Sequence, residues 1–324
     1  MSWPVTLEDV QSARDRIRPH LPPTPLRNYP PLDEAVGYGL RIFVKHENHQ
    51  PTQSFKVRNA LSALSALPAD RRRGGVVAAS RGNHGAALAW AGRMLGLPVA
   101  ICVPRGNNPE KNEAMRGFGA ELIVDGNDYD EAVQVADRLA RERGMHLVHS
   151  TNDRDVIAGA GTLALEIVEE QPGLDALVVA VGGGSQAVGA LTVARALRPA
   201  LAVYGVQAAK APAIHDSWHA GKPLAGATAN TFADGLATRK TYEMTFGSLR
   251  EGLAGFVAAG ESAIAEAVRL LLRTTHNLAE GAGATGLAGL SILGETLAGR
   301  SVGIVLSGAN IDAGSLRRVL LREI

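Results

Sequence analysis

The feature that most constrains the fold of this chain is a repeated alternation of short apolar runs with longer helical patterns. A first series of such runs occurs at residues 74–80, 98–104 and 120–125. Each run is followed by a segment with helical periodicity, near residues 85–95, from Pro109 and from Asp128. A second series of strand-like runs occurs at residues 174–184, 201–207 and 301–310. This alternation is typical of βαβ units around a parallel sheet.

The helix that follows Asp128 has the clearest predicted boundaries. Asp128 is a favourable N-cap residue, Glu131 stands at the capping-box position, and Gly144 follows the last arginine of the periodic segment. The two series predict an α/β fold with two units of ordinary domain size. The smaller unit spans residues 52–148, and the larger unit combines residues 1–51 with 149–324.

Composition narrows the function classes. The 324 residues include 33 basic and 32 acidic side chains, and only 4% are aromatic, so neither nucleic acid nor an anionic membrane is an expected partner. The single cysteine, Cys102, cannot form an intramolecular disulfide. The N-terminal segment contains acidic residues and no apolar h-region of a signal peptide, and no apolar stretch reaches the about 18 residues of a membrane span. We therefore expect a cytoplasmic protein.

A glycine-rich turn follows the second-series strand that ends at Val181. It comprises Gly182, Gly183, Gly184, Ser185 and Gln186, and an alanine-rich helical pattern follows it. Backbone N–H groups at such a turn, helped by the dipole of the following helix, can hold a phosphate. The turn also satisfies a loose dinucleotide fingerprint, but the next strand ends in Gln207 where that site needs an acidic residue. A tight turn without a ligand is the remaining alternative.

Lys56 stands directly after an aromatic residue at an apparent helix start. A solvated surface lysine is the ordinary interpretation of such a residue. A catalytic lysine needs a lowered pKa, and the apolar neighbours Phe55 and Val57 would allow the necessary burial.

Three further turns are rich in hydrogen-bonding groups. Ser80, Arg81, Asn83 and His84 follow a first-series strand, and Ser307 follows the last apolar run. Glu280 precedes a glycine-containing helix start. Each turn alone is weak evidence, but ligands bind at the carboxyl ends of parallel strands, where these turns converge on one crevice.

The order of these motifs resembles the fold-type II, tryptophan-synthase β-like family of pyridoxal-phosphate enzymes, in its threonine/serine dehydratase and serine racemase branch. The resemblance covers nearly the whole chain. It rests on the segments KHENHQPTQSFKVRNA, SRGNHG, VIAGAGT, GGGSQ, TFADGLA, EGAGA and LSGAN. It implies two open parallel-sheet domains of three layers each, with pyridoxal 5'-phosphate in the cleft between them.

The resemblance also implies roles for individual residues. Lys56 would be the catalytic residue and hold the cofactor as a Schiff base, and residues 182–186 would hold its phosphate. Asn83 would contact the phenolic oxygen, Ser307 the pyridine nitrogen, and Glu280 the ring edge. The expected substrate-binding residues are Ser80, Arg81, Asn83 and His84.

Several residues depart from the family pattern. Arg81 stands where racemases often have serine, and a permanently charged guanidinium is a poor proton donor or acceptor, so we expect little racemase activity. Gln53 and Asn59 occupy positions where glycine is common, which predicts a different loop shape. No acidic residue lies at 207–213, where relatives bind a metal, so we predict no metal there.

The resemblance predicts a lyase that eliminates water from threonine or serine and gives a 2-oxo acid and ammonia. β-Replacement, or dehydration of a bulkier or acidic hydroxy-amino acid, would use the same lysine and is the nearest alternative. A non-catalytic cofactor-binding protein is a further alternative, and a nicotinamide-dependent oxidoreductase is the remotest one. A homodimer is expected from the resemblance alone.

Overall fold

The computed structural model describes residues 3–324 and contains two β-sheets. The strands are β1 (Leu26–Asn28), β2 (Arg41–His46), β3 (Val76–Ala79), β4 (Val99–Val103), β5 (Glu121–Val124), β6 (His146–Leu147), β7 (Ala176–Ala180), β8 (Ala202–Ala208), β9 (Gly255–Ala259) and β10 (Ser301–Leu306). The six-stranded sheet has the order β1-β2-β10-β7-β8-β9, and the four-stranded sheet has the order β5-β4-β3-β6.

Helices connect the strands and cover both sheets. They are α1 (Leu7–Ile17), α2 (Pro30–Val36), α3 (Lys56–Ala66), α4 (Ala69–Arg72), α5 (Asn83–Leu95), α6 (Pro109–Gly117), α7 (Tyr129–Arg143), α8 (Arg154–Glu170), α9 (Ser185–Leu197), α10 (Ala213–Ala220), α11 (Glu243–Gly252), α12 (Glu261–Thr275), α13 (Gly281–Ile292) and α14 (Ala313–Leu320). Short 3₁₀ turns lie at Glu47–His49 and Asp234–Leu236.

The α/β class predicted from the sequence is confirmed, with one difference in the larger sheet. All strand pairs are parallel except β1 and β2, which are antiparallel. The edge strand β1 has only three residues and follows a proline-rich stretch, so it carries no alternating pattern that could have predicted it.

Each sheet is the middle layer of three, because successive strand residues enter opposite cores. In β7, Val178 packs with α2, α12 and α13, whereas Leu177 and Val179 pack with α1, α8 and α9. In β3, Ala78 packs with α3 and α5, whereas Val77 packs against α7. Strands that are buried on both faces in this way read as continuous apolar runs, as these do.

The boundaries of α7 follow the sequence in all but one detail. Asp128 caps the helix by accepting a hydrogen bond from the Glu131 backbone N–H at 2.9 Å, and Gly144 ends it with a φ of 64°. The capping box itself is not formed, because the Glu131 carboxylate accepts from the Asn127 N–H at 2.7 Å instead of from Asp128.

The strands of the small sheet all lie within residues 76–147, yet its main core also includes Ile17 and Val156. The division at residues 52 and 148 therefore stays a prediction. Cys102 is buried in β4, and burial raises the pKa of its thiol to about 11. Within residues 3–324, no helix has both the length and the apolar character needed to cross a bilayer.

Candidate active site

Loops at the carboxyl ends of strands from both sheets meet in one cleft. Two contacts join the sheets there: Asn83, after β3, contacts Glu280, and Gly183 of the glycine turn after β7 packs against Thr151, after β6. This is the edge of parallel sheets where ligands bind in open α/β folds. The turns that the sequence analysis singled out therefore do converge.

Lys56 is the first residue of α3, as predicted, and its amine points into the cleft. Its Nζ donates to the Ser150 carbonyl at 3.3 Å and lies 5.0 Å from the centre of the Phe55 ring. Burial lowers the pKa of Lys56 to about 8. The Phe55 N–H donates to the Ser307 carbonyl at 3.0 Å, which holds the start of α3 beside the end of β10. A lysine amine in this setting is partly neutral near physiological pH and can act as a nucleophile or a base.

Gln53, which stands where the resembled family often has glycine, adopts a glycine-like backbone conformation. Its φ is 53°, in the left-handed region that costs a side-chain-bearing residue roughly 1 kcal/mol or more. Its carbonyl accepts from the Ala309 N–H at 2.9 Å. Gln53 thus adopts a backbone conformation that glycine adopts readily, and the predicted difference in loop shape stays a prediction.

The glycine turn at residues 182–186 is enclosed too tightly for side chains at its first two positions. A Cβ on Gly182 would collide with the Gly235 carbonyl, and a Cβ on Gly183 would collide with the Thr151 hydroxyl. Gly184 has a φ of 102° and precedes the first turn of α9. Thr245 Oγ1 donates to the Gly183 carbonyl at 2.8 Å. This hydrogen bond fixes the Gly183 carbonyl. The backbone N–H groups in the first turn of α9 remain available to bind an anion.

Asn83 begins α5, and two hydrogen bonds fix the orientation of its amide group. Its Nδ2 donates to Glu280 Oε1 at 2.6 Å, while its Oδ1 accepts from Asn310 Nδ2 at 2.8 Å. Asn310 Nδ2 also donates to the Thr52 carbonyl at 2.9 Å. Since Asn83 Nδ2 carries two protons, one N–H remains available to a ligand oxygen. Burial raises the pKa of the Glu280 carboxyl.

The four predicted substrate-binding residues differ in their surroundings. The Ser80 hydroxyl accepts from the Gly82 and Gly85 N–H groups at 3.2 and 2.9 Å and so shapes its own loop. His84 is buried, neither ring nitrogen makes a well-formed hydrogen bond within residues 3–324, and burial lowers its pKa to about 3. The Arg81 side chain is exposed at the surface. Exposure alone does not place the guanidinium relative to the cleft, so the role of Arg81 at the substrate stays a prediction.

Ser307 lies at the end of β10, only 5% exposed, and its hydroxyl makes a long contact of 3.4 Å with the Ala282 carbonyl. Gln207, at the place where the sequence predicted no metal, uses its side-chain oxygen to accept from the Ile214 and His215 N–H groups at 3.1 and 2.9 Å. Across residues 3–324 there is no cluster of three or more His, Cys, Asp or Glu side chains suited to a metal ion.

Sequence reasoning missed the loop of residues 149–152. His149 Nδ1 accepts from the N–H groups of Thr151 and Asn152 at 2.9 and 2.8 Å, so the neutral ring carries its proton on Nε2. Burial and the charge of Lys56 lower the pKa of His149. The available signal was a polar run directly after a strand, but β6 has only two residues and is hard to recognise.

The cleft has polar groups suited to binding a compound that carries a carbonyl and a phosphate. Four buried atoms in it have no partner within the described chain: both ring nitrogens of His84, Asn59 Oδ1 and Gln186 Nε2. A neutralisable lysine, a glycine cradle at a helix N-terminus and unpaired polar atoms together define an enzyme that holds a cofactor with one reactive carbonyl and one phosphate. Pyridoxal 5'-phosphate has these two groups, so the residues present fit it.

Comparison with known proteins agrees with this class. The family model for "Pyridoxal-phosphate dependent enzyme" matches residues 17–308. The chain is 37% identical over 316 residues to an L-threonine ammonia-lyase of Thermotoga maritima, covering 98% of this chain and 78% of the relative. This protein belongs to the pyridoxal-phosphate-dependent enzyme family, and the predicted resemblance and cofactor are confirmed.

Two solved structures are similar over nearly the whole chain. A maize serine racemase superposes with a TM-score of 0.93 at 29% identity, covering 99% of this chain and 98% of the other. A T.th. threonine deaminase superposes with a TM-score of 0.90 at 35% identity, covering 95% of this chain and 99% of the other.

Proposed function

We propose that this enzyme eliminates the β-hydroxyl of a small 3-hydroxy amino acid, threonine or serine, and releases a 2-oxo acid and ammonia. The observation that carries the proposal is the Lys56 amine at the start of α3, which donates to the Ser150 carbonyl and whose pKa burial lowers to about 8. The 37% identity to the Thermotoga maritima L-threonine ammonia-lyase supports the choice of substrate.

The proposed cofactor contacts use the groups left free by the protein. The N-terminus of α9 and residues 182–186 would hold the phosphate, and the free N–H of Asn83 would donate to the phenolic oxygen. Ser307 would be the partner of the ring nitrogen, and because its hydroxyl is uncharged it would not stabilise a proton there as a carboxylate would. Glu280 would contact the ring edge.

The substrate carboxylate is proposed to bind at the N-terminus of α5, where Ser80, Asn83 and His84 cluster. Backbone N–H groups and the helix dipole favour an anion there. His84 is uncharged at neutral pH because its pKa is about 3, so it offers a hydrogen bond and no charge.

The proton transfer is assigned to Lys56. Bound pyridoxal phosphate supplies a conjugated ring that delocalises the negative charge left at Cα. The Lys56 amine removes the Cα proton, and the hydroxyl on Cβ then leaves as water once it gains a proton. The released enamine tautomerises to an imine, and one water molecule hydrolyses the imine to the 2-oxo acid and ammonia.

Elimination is proposed to dominate over racemisation. Racemisation needs a second proton donor on the face of Cα opposite Lys56, and the racemase serine of that loop is replaced by Arg81. A guanidinium remains protonated at physiological pH and does not exchange a proton readily.

The proposal extends to domain organisation, oligomeric state and cellular location. The sequence resemblance suggests a homodimer, with residues 52–148 as a small mobile domain and the remainder as the large one. The single cysteine, which cannot form an intramolecular disulfide, suits a reducing compartment, so the cytoplasm is the proposed location. Light scattering of the purified protein would measure the oligomeric state directly.

The test is an assay of the purified holoenzyme with a panel of hydroxy-amino acids, following 2-oxo acid release and, by chiral chromatography, the enantiomer of the remaining substrate. Lys56→Ala should abolish the release, while Lys222→Ala, which removes an exposed lysine, should leave it unchanged. Cofactor binding without any 2-oxo acid from the panel would refute the proposed reaction. Consumption of added sulfide in place of 2-oxo acid release would indicate β-replacement instead.

A further inference from the structure

A buried side chain outside the phosphate loop contacts that loop. Asn59 follows Lys56 by three residues in α3, so the two side chains lie on the same side of the helix. Asn59 is completely buried, and its Nδ2 donates to Ser185 Oγ at 3.4 Å. Ser185 is the first residue of α9, next to the phosphate loop glycines.

This contact decides which way the Ser185 hydroxyl can donate. A serine hydroxyl has one proton to give and two lone pairs to accept with. Because Asn59 occupies one of the lone pairs, the proton must point away from Asn59. The N-terminus of α9 has no side-chain cap, so the hydroxyl proton joins a set of backbone N–H groups that lack partners in the first turn.

Two polar atoms on the residues next to this contact have no partner within residues 3–324, and one of them, Gln186 Nε2, is a donor that can bind an anion. The other is Asn59 Oδ1, and both atoms are buried. Buried polar atoms are rarely left unpaired, since each such atom costs free energy. Gln186 follows Ser185 in the chain, and Asn59 contacts Ser185 from α3.

We propose that Asn59 is a positioning residue that acts through Ser185 on the cofactor phosphate, directing the serine hydroxyl at the anion as an additional donor. The inference rests on the proposed assignment of residues 182–186 to the phosphate. It gives Asn59, which departs from the glycine common in the resembled family, a role at the cofactor and not at the substrate.

A double-mutant cycle with Asn59→Ala, Ser185→Ala and the double variant tests the proposal. The dissociation constant of pyridoxal 5'-phosphate is measured by titrating each apoenzyme, and the phosphorus NMR signal of the bound phosphate is recorded. Each single change should weaken binding about tenfold or more, as expected for a lost hydrogen bond to a charged group. The double variant should bind no more weakly than Ser185→Ala, and the phosphorus signal should shift in all three.

Pyridoxal, which lacks the phosphate, separates this role from a structural one. Its affinity should be the same in wild type and all three variants. Ser62→Ala, one turn further along α3 at another buried position, is the matched control and should leave both affinities unchanged. If Asn59→Ala does not fold, Asn59→Gly replaces it in the cycle.

The outcomes also distinguish a failure of the Asn59 role from a failure of the assignment of residues 182–186 to the phosphate. Additive losses in the cycle, or an equal loss with pyridoxal, would overturn the role of Asn59. If Gly183→Ala, whose Cβ would collide with Thr151, also leaves the affinity for pyridoxal 5'-phosphate unchanged, the phosphate assignment itself is wrong.

Discussion

At the scale of single residues, the protonation state of Lys56 governs how the apoenzyme takes up its cofactor. Burial lowers its pKa from the ordinary 10.5 to about 8, so the neutral amine that attacks a carbonyl becomes abundant only as pH rises towards 8. We expect the rate of cofactor loading to rise about tenfold per pH unit below 8 and to level off above it. Stopped-flow absorbance from pH 6.5 to 9.5 measures this rate, and a flat profile would contradict the assignment.

A second prediction concerns Asn310, the last residue of the LSGAN segment, to which the sequence alone assigned no role. Asn310→Ala removes the donor that holds Asn83 Oδ1, so the Asn83 amide loses its fixed orientation. Cofactor affinity should fall by about 1–3 kcal/mol, and the visible absorbance maximum of the holoenzyme should move. Asn277→Ala, which removes a comparable pair of side-chain contacts elsewhere, should change neither quantity. An unshifted spectrum in Asn310→Ala would show that Asn83 is held by other means.

At the scale of elements, the position of the glycine turn at residues 182–186, the proposed phosphate site, depends on how closely α9 approaches α8. The two helices cross at glycines: a Cβ on Gly189 would lie 2.5 Å from the Gly161 backbone nitrogen. Gly189→Ala should therefore push the helices apart, at a cost of about 1–3 kcal/mol in unfolding free energy, and weaken cofactor binding by moving the start of α9.

Urea unfolding and cofactor titration measure the two effects of Gly189→Ala. Gly173→Ala is the matched control, because a Cβ there would meet only the end of the Gln171 side chain, at 3.8 Å. Equal stability of the two variants would mean that the helix crossing relaxes without cost.

At the scale of the whole molecule, one buried group of charges joins distant segments. Arg58 is 1% exposed and pairs with Glu47 at 2.8 Å and with Glu166 at 2.6 Å, while Lys45 contacts Glu166 at 2.6 Å. These residues come from β2, the turn after it, α3 and α8. The group contains two positive and two negative side chains, so its net charge is zero. Removing one member would leave a buried charge without its partner, which is energetically costly.

Arg58→Met leaves the fully buried Glu47 carboxylate without its main partner. We expect a loss of about 3–5 kcal/mol in the free energy of unfolding, measured by urea denaturation. Arg141→Met, which breaks an exposed pair with Asp137, should cost less than about 1 kcal/mol. Similar small losses in both variants would mean that Glu47 takes up a proton or reaches water.

Acid should destabilise the protein partly through His46. Burial, followed by the neighbouring His49, lowers the pKa of His46 from 6.5 to about 4. Between those values the unfolded chain binds more protons than the folded one, so this contribution to stability is complete above pH 6.5 and is lost as pH falls to about 4. The loss approaches about 1.4 kcal/mol per pH unit. Urea unfolding at pH 7 and 4.5 should show a smaller acid loss in His46→Gln, and an equal loss would exclude His46 as a cause.

The sequence predicts this fold well where the signal is local. The βαβ rhythm, the cap at Asp128 and the start of a helix at Lys56 each depend on neighbouring residues, and each is confirmed. The pairing of β1 and the contacts of Asn59 with Ser185 and of Asn310 with Asn83 depend on segments brought together by the tertiary fold. The two side-chain pairs are 126 and 227 residues apart, and no local pattern specifies such a meeting.

The burial of Cys102 within β4 has a practical consequence for observing the cleft. The chain has one thiol, it is fully shielded, and its pKa is raised to about 11, so it stays unreactive towards alkylating labels at neutral pH. A cysteine introduced at the exposed position of Arg81 would therefore be the sole labelling site without any change to the native thiol. A fluorophore attached there would report on the loop that precedes α5 as cofactor and amino acid bind.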